Sequence, residues 1–105
     1  MGKNMQKMMK QVQQMQTKMA KMQEEMKDKT VEATSGGETV TAVVNGGKEV
    51  VDIEINPEAV DPDDVEMLED LVLAAVNEAM KKADEMVSEE MKKITGGMDL
   101  PPGMF

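Results

Sequence analysis

The chain has 105 residues, with fourteen Met, a single Phe, and no Trp, Tyr, Cys or His. That length suits one domain, and the missing residue types exclude disulfides, zinc-finger spacing, thiol chemistry and the commonest general base and metal ligand. The formal net charge of −9 is unevenly placed: residues 1–23 carry five lysines and no acid, while residues 24–105 carry the other seven lysines against all 21 acids, a net of −14. The basic end therefore has to be read by itself. No run reaches the length of a membrane span, and the N-terminus lacks a hydrophobic signal core. A soluble cytoplasmic protein without a membrane partner is the expectation.

Residues 4–28 read as the first helix. Met5, Met8, Val12, Met15, Met19, Met22 and Met26 recur at alternating spacings of three and four. That is a heptad seam, the mark of a helix packed along a partner helix. The stretch holds no Gly and no Pro, so intrinsic propensity agrees. At about 100° per residue, Lys3, Lys7, Lys10, Lys18 and Lys21 fall within an arc of roughly 80° on the other side. Glutamines separate the Met edge from the Lys edge.

The period then changes from 3.6 to 2. Residues 30–35 alternate, and Gly36-Gly37 breaks them. Residues 39–45 are rich in Thr and Val, as strands are. Asn45-Gly46-Gly47 is a strong hairpin signal. Residues 48–55 alternate again, with Val51, Ile53 and Ile55 on one face and Asp52 and Glu54 on the other. The reading is a three-stranded antiparallel meander, polar on one face. Asn56-Pro57 ends the last strand and opens a short helical turn.

Residues 61–94 read as a second long helix. Asp61 is the expected N-cap, with Pro62 at the first helical position and acids behind it. Lys92 and Lys93 occupy the last turn, and Gly96-Gly97 follow as the stop. Leu68, Leu71, Val72, Ala75, Val76 and Ala79 are the expected core or dimer-interface positions. The run from Leu71 to Val76 is apolar all round, so it needs cover on more than one face. Such a helix spans roughly 50 Å, whereas a compact domain of this size has a radius of gyration of about 13 Å. Either the helix projects or a second copy covers it, and a homodimer is expected. The last residues, 98–105, read as a Pro/Gly-containing flexible tail after a 1–97 domain. The fold class is α+β in the order α-β-β-β-α, with a three-stranded antiparallel sheet and two long helices.

Four stretches carry a resemblance: MKQVQQMQTKMAKMQEEM, VNGGKEVVDIEINPEAV, EMLEDLVLAAVNEAMKKA and TGGMDLPPGMF. Together, in order and with matching gaps, they resemble the YbaB/EbfC family of bacterial nucleoid-associated proteins. The EMLEDLVLAAVNEA block and the LPPG tail are its specific parts. The resemblance implies a tweezer-like homodimer, localised to the cytoplasm and nucleoid. It implies binding to double-stranded DNA with little sequence preference, a change in DNA conformation, and effects on nucleoid organisation and gene expression. It implies no enzymatic activity, no cofactor and no small-molecule substrate.

The residues themselves leave alternatives. The lysine edge, with Lys92 and Lys93 as weaker additions, suits phosphates, which need positive charge but no particular shape. It equally suits a solvated helix face kept for solubility. With no Arg, the strongest reader of guanine is missing, and no aromatic interleaves the lysines for stacking on single strands. The Met seam could instead dock partner helices, making the protein an interaction adaptor. It could also lie on a membrane surface, although the usual Trp, Phe or Leu are missing. Copper(I) accepts thioethers, but heptad spacing reads as packing. Asp61, Asp63, Asp64 and Glu66 lack the spacing of a calcium loop and read as helix-capping acids, so no metal is expected. Without His, Cys or a glycine-rich phosphate loop, an enzyme is not expected either.

Overall fold

The computed structural model describes residues 2–95, with side chains from residue 4 to residue 94. The expected tail, 98–105, lies outside the described residues. The order is α1 (Gly2–Lys27), β1 (Thr30–Ser35), β2 (Val40–Asn45), β3 (Val50–Ile55) and α2 (Val65–Thr95), with a short 3₁₀ turn at Pro57–Ala59. The chain is elongated, 73 × 24 × 16 Å, with a radius of gyration of 19.8 Å. That far exceeds the ~13 Å of a compact domain of this length. One helix does project, and it is α1.

The strands form an antiparallel sheet in the order β1-β2-β3. Val31, Ala33 and Ser35 pair with Val44, Ala42 and Val40, so these six share one face. Ile53 and Ile55 pair with Ala42 and Val40 and join that face. Opposite it lie Glu32, Thr34, Asp52 and Glu54, all exposed. One face is therefore apolar and the other polar, as a half-buried sheet requires.

The second helix lies on the apolar face. Ala75, Ala79 and Ala83 are fully buried against Ala33, Val40, Ala42 and Val44. Small side chains on both sides let the helix backbone approach the sheet closely. Leu68, Leu71, Val72 and Val76 are partly buried around the same core. Ser35 Oγ donates to the Leu71 carbonyl at 2.6 Å, and Lys82 Nζ to the Glu32 carbonyl at 3.1 Å, which fixes one flank of α2 along β1. Lys48 reaches Asp84 at 3.3 Å from the β2–β3 turn on the opposite flank. The cover stops short of β3, where Ile53 is half-buried and Val50, Val51 and Ile55 are exposed.

Several boundaries differ from the sequence reading: α1 spans Gly2–Lys27 instead of 4–28, and three further shifts have visible causes. Asp61 does not cap the helix. Its Oδ1 accepts from the Asp63 amide at 3.0 Å, closing a turn that holds Pro62. Asp64, whose Oδ1 accepts from the Met67 amide at 3.2 Å, is the cap, so α2 starts four residues later than expected. Competing Asp side chains decided between turn and cap. The third strand starts at Val50, not at residue 48. Lys48 lies in the turn with φ 62°, and the register shifts between Val43 and Val44, a bulge that breaks the alternation around Val51. The second strand starts at Val40 because Thr39 belongs to the preceding turn, its amide bonded to the Ser35 carbonyl at 3.1 Å.

Candidate nucleic-acid interface

The candidate surface is α1, and its base explains why the helix stands away from the body. A helix C-terminus leaves carbonyls without partners. Here the β2–β3 turn supplies them. The Gly46 amide donates to the Met26 carbonyl at 2.9 Å and to the Lys29 carbonyl at 3.1 Å. The buried Asn45 side chain donates to the Lys27 carbonyl at 3.2 Å, and its Oδ1 accepts from the Glu49 amide at 2.9 Å. Met22 and Met26, both buried, close this joint beside Val87 of α2. The turn signal in the sequence was visible, but its docking under α1 was not, because that contact joins residues twenty apart.

Gly46 is obligatory there. A Cβ at this position would lie 2.6 Å from Met26 Cβ and 2.7 Å from the Met26 carbonyl oxygen. Gly46→Ala should destabilise the protein by about 1–3 kcal/mol through this overpacking. Gly47→Ala, whose nearest neighbours lie at 3.3 Å or beyond, should cost less. Thermal denaturation of the two variants checks the ranking.

Beyond the joint the helix loses cover. Met15 and Met19 are half-buried, and Met5, Met8, Met9 and Val12 are 54–67% exposed. The expected heptad seam is therefore only half occupied within the chain. On the other side Lys7, Lys10, Lys18 and Lys21 are all exposed. They share one helix face, and the line from Lys7 to Lys21 is about 21 Å long at 1.5 Å per residue. The Lys3 side chain lies outside the described ones.

The lysines that have partners lie on the body of the molecule. On the body, Lys29 meets Glu90 at 3.6 Å, Lys48 meets Asp84 at 3.3 Å, Lys93 meets Glu90 at 3.1 Å, and Lys82 holds a backbone carbonyl. Among the described residues, Lys7, Lys10, Lys18 and Lys21 meet no acid. A row of exposed, unpaired ammonium groups is a phosphate-binding pattern. Residues 1–98 match the YbaB/EbfC DNA-binding family. The chain belongs to that family.

Its relatives agree. A nucleoid-associated protein of Pelotomaculum thermopropionicum is 59% identical over 105 residues, covering 100% of this chain and 99% of its own. One from Thermoanaerobacter pseudethanolicus is 62% identical over 104 residues, covering 99% of this chain and 93% of its own. The crystal structure of an uncharacterized protein from Helicobacter pylori superposes with a TM-score of 0.63 at 26% identity. It covers 74% of this chain and 90% of that one.

In this YbaB/EbfC chain the remaining expected site residues are scattered. Lys92 is exposed and unpaired, in the last turn of α2. Lys93 is committed to Glu90. That hydrogen bond, with the nearby Lys29 charge, holds the Glu90 carboxyl below its ordinary value against the opposing effect of partial burial. A carboxyl depressed by folding adds stability above its unfolded pKa and loses it as pH falls through the folded value. Glu90→Gln should therefore melt lower than the parent at neutral pH, and the gap should close on acidification below the carboxylate range. A pH series of melting curves checks this. Ala75 and Ala79 are sealed against the sheet and offer nothing to another chain.

Proposed function

We propose that this protein binds double-stranded DNA through its phosphates, with little dependence on base sequence, and acts in the nucleoid by altering DNA conformation. The observation that carries this reading is the row of exposed lysines along a projecting helix, Lys7, Lys10, Lys18 and Lys21, none of which meets an acid among the described residues. Lys3, Lys7, Lys10, Lys18 and Lys21 are the contacts we assign, with Lys92 secondary and Lys93 weaker still because Glu90 occupies it. The chain lacks Arg, which removes the best bidentate reader of base edges. The net charge of −14 in residues 24–105 repels the duplex. Screening over about 8 Å at physiological salt confines that repulsion, and α1 reaches beyond it.

The active form in this proposal is a homodimer. On α2, Leu73, Val76 and Met80 lie on the flank of Asp84, toward the β2–β3 turn. Leu73 is 59% exposed. Next to this flank stand Ile53 and Ile55, which share the covered face of the sheet but extend past α2. Helix flank and strand together form an open apolar shelf, and a second copy brings an identical shelf to meet it by two-fold symmetry. Paired bodies then present two lysine-edged helices, and these straddle one duplex or bridge two.

Titrating salt against binding to a random-sequence duplex tests the reading. The logarithm of affinity should fall linearly with the logarithm of salt concentration, with a slope of about −0.9 per phosphate contacted. A flat response would remove phosphate contact as the source of binding. The exposed seam at Met5, Met8, Met9 and Val12 supports a second reading, a helix-docking adaptor that binds no DNA. Purified protein that retards no duplex at low salt would favour it.

A further inference from the structure

We infer that the exposed outer seam of α1 packs against the same seam of a second copy, with the two helices running in opposite directions. The inference rests on neither DNA binding nor the open shelf. Burial of the seam fades along its length: Met22 and Met26 are buried, Met15 and Met19 are half-buried, and Met5, Met8, Met9 and Val12 are exposed around an open apolar depression of about 370 Å³. The seam positions Met5, Met8, Val12 and Met15 follow one another at spacings of three, four and three. That pattern reads the same in both directions. Two copies related by a two-fold axis across the helices therefore match it layer for layer, Met5 against Met15 and Met8 against Val12.

Charge and space agree. Between residues 4 and 17 the charged side chains are Lys7 and Lys10. At about 100° per residue, both lie roughly 150° around α1 from the middle of the exposed seam. The side chains beside the seam are Asn4 and Gln11 on one edge and Gln13 and Gln16 on the other, all uncharged. A second copy thus meets no like charge at the contact, and both lysine rows stay on the outside. Opposed helices also keep the bodies apart, and residues 24–105 of each copy carry a net charge of −14. Helices running in the same direction would bring those bodies together. In the opposed register Met19 of one copy falls level with the N-terminal end of the other α1, so each body begins where the partner helix stops. A contact of about 15 Å of helix per copy is short, so the association is weak and depends on concentration. Where the lysine rows bind DNA, such a pair holds two duplexes and bridges them.

The chain has no cysteine, so engineered ones report without competition. Met8→Cys and Val12→Cys are made as separate variants and mixed in equal amounts. Under mild oxidation they should cross-link to each other at least about tenfold faster than either links to itself, because docking gives that pair a high effective concentration. Self-links that dominate in both variants would mean helices running in the same direction and would overturn the inference. Links in the statistical proportions of random collision would overturn it too. Sedimentation gives a second measurement. With rising concentration the mass of the parent should reach at least twice that of a variant combining Met8→Gln and Val12→Gln. Both positions are exposed and Gln is a good helix former, so the variant keeps its fold. A parent whose mass tracks the variant's at every concentration would overturn the inference and leave the seam to a different protein. Both measurements are made without DNA, so a parent that binds no duplex leaves them standing.

Discussion

Changing Lys7, Lys10 and Lys21 together to Glu will abolish retardation of a random-sequence duplex and leave the fold as it is. The three side chains are exposed and unpaired, so no internal contact is lost. Lys and Glu have similar helix propensities, so α1 stays helical. In the proposed dimer the change removes six phosphate contacts and sets six carboxylates against the backbone. Counterion release makes each contact count, so affinity near physiological salt should fall by at least about a hundredfold. The milder Lys→Gln triple should retain weak binding with a shallower salt slope. Circular dichroism and sedimentation should match the parent in both. A triple Glu variant that retards DNA like the parent would remove the lysine edge from the mechanism. The adaptor reading makes the opposite forecast: pure parent protein retards nothing, and the variant keeps its protein partners.

The lysine edge was legible because it depends on one helix alone. Periodicity places Lys7, Lys10, Lys18 and Lys21 on a common line whatever else the chain does. The three strands were legible for the same local reason: Thr- and Val-rich alternation interrupted by Gly36-Gly37 and Asn45-Gly46-Gly47. What periodicity cannot encode is the identity of a partner surface. The Met seam predicts that something packs along α1, and burial within the chain reaches only Met15, Met19, Met22 and Met26. In the same way Leu71 to Val76 predicts cover on more than one face, and the sheet supplies one of them through Ala75 and Ala79. Asp61 and Asp64 show a different limit. Both are good caps three residues apart, and the outcome turned on which one the Pro62 turn consumed. The joint at Asn45 and Gly46 was hidden because its bonds run to the carbonyls of α1, across the whole of β1 and β2.

The open shelf gives the other large effect. Leu73→Glu with Ile55→Glu should halve the sedimenting mass of the protein. In one chain both side chains are exposed, at 59% and 38%, so the substitutions cost the isolated fold little. In a two-fold interface each change appears twice, and four carboxylates would be buried facing apolar side chains. A charge buried without a partner costs several kcal/mol, enough to dissociate an interface of ordinary size. DNA binding should weaken in step, by about a hundredfold or more, because two linked lysine edges act at a high effective concentration and separate ones do not. Met67→Glu is the matched comparison. Met67 is 46% exposed but lies on the opposite flank of α2, so its replacement should leave the mass unchanged. If the double variant keeps the parent's mass, the shelf is not where two copies meet. If Met67→Glu alone halves it, the meeting surface is the far flank, and the two lysine edges are set at a different spacing from the one proposed.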